Sequence, residues 1–138
     1  MTEMFKDDNH CFACGDLNPE GLHMEVFRDN GRARAEVTLR QVHQGWRDMA
    51  HGGLVSTILD EIMAHAVVDQ EPQAATVEMK VRFRSRVPLD RALITEGWIV
   101  RQDKRRVMAQ GLLKLKESGE VLAKSEAKFL IPRPSRPE

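Results

Sequence analysis

Residues 54–68 limit the fold more than any other part of this sequence. Leu54, Val55, Ile58, Leu59, Ile62, Met63, Ala66 and Val67 recur at spacings of three and four, which draws one broad apolar stripe along a helix. Ala64 and Val68 fall on the opposite side, so little of this helix is left for solvent. Such a helix must be covered, most simply by a sheet curling around it. Gly52-Gly53 stands at its entry.

The flanking segments supply the strands. Two short ones are expected at 22–27 and 32–38, with Asp29-Asn30-Gly31 as the hairpin signal between them. A loop runs from Leu39 to about Ala50. Beyond the helix, Val77, Met79, Val81 and Phe83 alternate with Glu78, Lys80, Arg82 and Arg84, the pattern of a half-buried strand with a charged outer face. Strands at 93–101, 106–116 and 121–131 follow, the last two joined by the turn Glu117-Ser118-Gly119-Glu120. Two strands, one long helix and four more antiparallel strands make an α+β fold. The 138 residues are read as one domain with a loop-rich segment at 1–21 and a frayed, proline-rich tail at 132–138.

Charge and composition exclude several functions. With 21 Lys+Arg against 21 Asp+Glu the net charge is zero, so no uniformly basic nucleic-acid binder is expected. An apolar share of 41% suits a globular chain. No apolar run approaches the roughly 18 residues of a membrane span. The first residues, MTEMFKDDNH, lack the apolar core of a secretory signal, and a cytoplasmic location is expected. The zero conceals an asymmetry: residues 80–106 hold nine Lys/Arg and three acids, a local charge of +6.

The chemistry concentrates in His43-Gln44-Gly45-Trp46-Arg47-Asp48-Met49-Ala50-His51-Gly52-Gly53 and, further on, Asp60. The first amides of a helix have no intrahelical partner and carry the positive end of its dipole. Glycines there let a ligand come close, and a carbonyl or a developing oxyanion suits the place. A Gly-rich helix entry without a ligand fits the same residues. Asp60 and Glu61 each point roughly 130° from the centre of the apolar stripe, on opposite sides. A carboxylate on a buried helix needs a partner, an exit to solvent or a function. Asp60 lies about 12 Å along the axis from Gly52 at 1.5 Å per residue, too far for both to touch one carbonyl easily. A two-fold dimer would resolve this by drawing the amide from one chain and the carboxylate from the other.

His51-Gly52-Gly53 followed by Asp60 resembles the HGG…D signature of hotdog-fold acyl-CoA thioesterases of the PaaI-like branch. Cys11-Phe12-Ala13-Cys14-Gly15, Asn18-Pro19-Glu20-Gly21-Leu22 and His43-Gln44-Gly45 are similar to further motifs of that branch. The resemblance runs from about Cys11 to Ile131. It implies a hotdog fold, one long helix wrapped by a curved antiparallel sheet. It also implies hydrolysis of an acyl-CoA to a carboxylic acid and free coenzyme A. In that scheme the Gly52 amide polarises the thioester carbonyl, and Asp60 of the other subunit is general base or nucleophile. Thr76 matches a hydroxyl residue that positions water in some relatives, and is equally an ordinary strand residue. Some relatives carry an Asn where this chain has Gly45, so the water contact of that Asn is absent.

His51 has two readings, fixing the glycine turn or touching substrate, and the first is preferred. His65 reads as a satisfied or partly exposed histidine. Gly53, Trp46, Met49, Leu54 and Ile58 are candidate lining for the acyl pocket. Arg84, Arg86, Lys104, Arg105 and Arg106 are candidates for the coenzyme A phosphates, or else a solvated outer face. No metal and no separate cofactor are expected: zinc would need four ligands, there is no second CxxC, and only His10 and His23 lie near Cys11 and Cys14 in sequence. A packing role is the preferred reading of the two cysteines. The resemblance implies a homodimer, with a dimer of dimers left open as the larger assembly. The alternative is a hotdog module that binds acyl-CoA or another small ligand without turnover.

Overall fold

The computed structural model describes residues 7–133; residues 134–138 of the expected tail and 1–6 of the entry segment lie outside the described residues. The elements in chain order are β1 (Phe27–Asp29), β2 (Arg32–Thr38), α1 (Gly52–Val68), β3 (Ala75–Phe83), β4 (Ala92–Gln102), β5 (Arg106–Leu115) and β6 (Val121–Leu130). The strands form one antiparallel sheet in the order β1-β2-β4-β5-β6-β3. A single 3-10 turn, Gln41–His43, interrupts the expected loop before α1.

The helix is buried as its sequence demands. Val55, Ile58, Leu59, Ile62, Met63, Ala66 and Val67 are shut off from solvent. They meet the inward residues of β2, β4, β5 and β6, among them Val37, Leu93, Val107, Leu113 and Phe129. Strand alternation delivers these: in β2 every second residue, Ala33, Ala35 and Val37, is buried. The helix backbone comes closest at Gly97, where an added Cβ would stand 2.7 Å from the Ile62 carbonyl oxygen.

Two expectations are corrected. The first strand does not begin at residue 22. The Leu22 and Met24 amides donate to the Phe12 and Ala13 carbonyls, at 2.7 and 2.8 Å. His23 between them has φ 53°. The backbone there is spent on the Cys11–Gly15 turn, and pairing with β2 starts only at Phe27. The second concerns β3, whose inward face was expected to include Val77. Thr76 pairs with Phe129 and Glu78 with Lys128, so Val77 is the extra residue of a β-bulge and is 51% exposed. Residues directly opposite share a face. The bulge therefore puts Thr76 on the helix side with Phe129, although Glu78 faces outward. Unbroken alternation would have turned Thr76 away from the helix.

Candidate active site

The loop before α1 is held by its own hydrogen bonds. The buried His43 accepts the Arg40 amide on Nδ1 at 2.9 Å, and its carbonyl accepts the His51 amide at 2.9 Å. Burial, with the Arg40 charge nearby, pushes its imidazole below the ordinary value. Gln44 accepts from the Asp48 amide and the Gln41 side chain. His43 Nδ1 and Gln44 Oε1 are thus committed to the loop itself. The loop is also close-packed at Gly45, where a Cβ would stand 2.9 Å from the His51 Cα.

His51 is the N-cap of α1: its Nδ1 accepts the Gly53 amide at 2.9 Å. This is the loop-fixing role, and it leaves the ring proton on Nε2 when the imidazole is neutral. The cap separates the two glycines. A Cβ on Gly53 would press on the His51 ring at 3.0 Å, whereas one on Gly52 would meet the Phe83 ring at an ordinary 3.7 Å. Packing thus leaves less room for a side chain at 53 than at 52. The Gly52 amide, at the head of the helix, has no hydrogen-bond partner among the described residues.

Asp60 sits half-buried on the flank of α1 beside β3. The Thr76 hydroxyl, turned inward by the bulge, donates to Asp60 Oδ1 at 2.9 Å. Burial pushes the Asp60 carboxyl above its ordinary value, the Thr76 hydrogen bond pulls against this, and the Glu61 charge adds to the rise. Glu61 takes the other flank. Its Oε2 accepts His65 Nε2–H at 3.0 Å and the Cys11 thiol at 3.7 Å, and Cys14 also hydrogen-bonds to it. Burial would raise this carboxyl, but the bonds from His65, Cys14 and Cys11 outweigh it and hold it below the ordinary value. The same contact pushes the Cys14 thiol far up, with burial as the larger cause. His65 accepts Arg28 Nε–H on Nδ1 at 3.0 Å, which fixes its tautomer.

The structure brings together Gly52 with Phe83, and Asp60 with Thr76, at opposite ends of β3. It does not bring Gly52 to Asp60 within one chain. Of the lining candidates, Leu54 and Met49 are half-buried, Trp46 is 82% exposed on the loop, and Ile58 is wholly inside the core. The basic candidates divide. Arg84 and Arg86 follow Phe83, are exposed, and have no ion-pair partner among the described residues. Lys104, Arg105 and Arg106 lie at the β4–β5 turn, in the row of β5, β6 and β3 that ends at Ala75. Arg105 donates to the Ile131 carbonyl, and Arg106 lies 3.8 Å from Asp103. One phosphate cannot be shared between the two groups of a single chain.

An open groove of about 450 Å³ lies on the outer face of the sheet, lined by Lys80, Arg82, Arg84, Trp98, Lys124 and Glu126. It is across the sheet from Gly52 and Asp60. Phe83, whose ring borders Gly52, was missed as a site neighbour, since its alternation marked it only as core; it is 54% exposed. Among the described residues no helix is long and apolar enough to cross a membrane.

These features define a hotdog fold with a glycine-headed central helix that bears a half-buried carboxylate. The thioesterase superfamily model matches residues 48–122, more than half of the sequence, and the chain belongs to that superfamily. The match starts beyond Cys11–Gly15 and is silent on that motif. Among solved structures, a thioesterase superfamily protein superimposes with TM-score 0.83 and 24% identity over 88% of this chain; the chain spans 60% of that structure's length. The E. coli PaaI protein from the phenylacetic acid degradation operon matches with TM-score 0.76, 17% identity and 81% coverage of both chains. A hypothetical thioesterase from Streptococcus pneumoniae, solved with coenzyme A, matches with TM-score 0.74 and 18% identity, covering 78% of this chain and 87% of its own. No match was found among curated proteins.

Proposed function

We propose that this protein hydrolyses an acyl-coenzyme A thioester in a site shared by two chains. The observation that carries this reading is the Gly52 amide, without a hydrogen-bond partner among the described residues, at the head of the helix whose flank holds the Asp60–Thr76 pair. The amide stabilises the oxyanion formed when the thioester carbonyl is attacked. Asp60 takes the proton of the attacking water, or attacks the carbonyl itself to give a mixed anhydride that water then opens. Thr76 holds the carboxylate in place. The coenzyme A thiolate leaves and is protonated.

Strand β3 is an edge, paired only with β6, and carries the exposed Val77 and Phe83. An edge of this kind is a template for pairing with another chain. Antiparallel pairing of two β3 strands about a two-fold axis sets the Thr76 end of one against the Phe83 end of the other. Asp60 of each chain then faces the Gly52 region of its mate. Arg84 and Arg86, just beyond Phe83, are placed to meet nucleotide phosphates. The superfamily membership and the coenzyme A-bound relative support the substrate class.

The test is thiol release from a panel of aliphatic and aromatic acyl-CoAs by wild type and Asp60→Ala, alongside the mass of the assembly in solution. Turnover by wild type and its collapse in the variant are expected, with a dimer or a multiple of one. Saturable binding without turnover would replace the enzyme with a binding module. A monomer with full activity would remove the shared site.

A further inference from the structure

Cys11, Cys14 and Glu61 form a cluster that thioester hydrolysis does not use. One donor atom from each lies within 4.8 Å of the others. Cys11 Sγ is 3.7 Å from Glu61 Oε2, close to the about 3.5 Å between a sulfur and an oxygen ligand on one tetrahedral zinc ion. We propose that these three side chains bind one thiophilic divalent cation per chain, with Zn²⁺ the best match and a solvent molecule as fourth ligand.

Preorganisation favours this. The CxxC turn is closed by the Gly15 amide on the Cys11 carbonyl at 2.8 Å. It is clamped from the other side by the Leu22 and Met24 amides, so the thiols are presented on fixed backbone. The third donor comes from the rigid, buried α1. Its carboxylate is aimed by His65 Nε2–H, and His65 is aimed in turn by Arg28, the outer-shell arrangement that orients metal ligands. The site reaches −3 when both thiols ionise, and a divalent ion brings it to −1. Binding displaces the two thiol protons to solvent.

A purely packing role accounts for less. Glu61 already has a strong donor in His65, and S–H is a weak one, so the carboxylate does not need two thiols. Sulfur donors select zinc-like ions over Mg²⁺ and Ca²⁺. Cys11 and Cys14 are unbridged and half-buried, which leaves an entry path. His10 and His23, the nearest histidines in sequence, are turned to the Asp8 and Asn18 carbonyls and are not needed.

The experiment is a Co²⁺ titration of the full chain, kept reduced and stripped by a chelator, followed by displacement with Zn²⁺. Wild type should give thiolate-to-cobalt charge-transfer absorption saturating at one ion per chain, and Asp60→Asn should match it. The double variant Cys11→Ser/Cys14→Ser should lose the band, and Glu61→Gln should weaken binding by at least about tenfold. No band in reduced wild type, or an undiminished band in the double variant, would overturn the proposal. Should the double variant not fold, wild type alone decides: bound Zn²⁺ must slow the reaction of both cysteines with a thiol reagent, and unchanged rates refute the site. Thiol release from acyl-CoA is not read in any arm, so failure here leaves the thioesterase reading standing, and the reverse.

Discussion

Asp60 and Glu61 are consecutive on α1, yet they look out on different flanks of the molecule. Asp60 faces the edge strand and receives one hydroxyl hydrogen bond. Glu61 faces the folded-back N-terminal segment and is met by an imidazole and two thiols. Burial raises both carboxyls; only Glu61 has enough donors to reverse the rise. The helix thus carries one carboxylate that holds its proton more tightly than usual and one that three donors keep ionised more readily. Their 100° separation on the helix is what lets one element do both.

The strongest way to break this comparison is to neutralise each acid in turn. Asp60→Asn should cut thioester turnover by about 10²–10⁴-fold with the fold intact. Glu61→Gln should leave turnover within about threefold, and steady-state kinetics on one acyl-CoA checks both. Gly52→Ala comes next. The methyl meets Phe83 at an ordinary distance, so stability should hold or rise, but access to the amide narrows and kcat/KM should fall by up to about 10²-fold.

Thermal or denaturant unfolding of metal-free protein sharpens the contrast in sign. Glu61→Gln should lose about 1–2 kcal/mol at neutral pH, since a charged acceptor of several bonds is removed. The raised Asp60 carboxyl binds its proton more tightly folded than unfolded. Its ionisation therefore costs stability as pH climbs from 3.8 through the folded value. Asp60→Asn should be the more stable protein at neutral pH, with the gain vanishing in acid. The lowered Glu61 carboxyl works the other way: its contribution is present above 4.5 and is lost as pH falls through its folded value. The smallest effect belongs to Thr76→Val. Removing a bond that lowers the Asp60 value should move the acid limb of the kcat/KM profile to higher pH, where a purely packing role would leave the limb in place.

The helix was legible because its period runs unbroken over about four turns, and the later strands because each keeps its alternation over most of its length. The departures share a cause, the backbone or side chain being engaged by something distant in sequence. Residues 22–24 have strand composition but give their amides to the Cys11–Gly15 turn. The bulge at Val77 has no signature in the alternation around it, so the Thr76–Asp60 bond was reachable only through resemblance to a family. The partner of the cysteines was sought nearby, at His10 and His23, and stands fifty residues on, at Glu61. The segment of charge +6 reads as one patch in sequence, but antiparallel strands carry Arg84 and Arg106 to opposite ends of the sheet.

The distance between Gly52 and Asp60 along α1 has a genetic consequence for a site built across two chains. Neither a Gly52-blocked chain nor an Asp60-neutralised chain can work with its own kind. Mixed with each other at random, they assemble pairs in which one site inherits both defects and the other inherits none. Co-expression of the two inactive alleles should thus recover about one quarter of wild-type activity, a complementation that a site contained within one chain would never give.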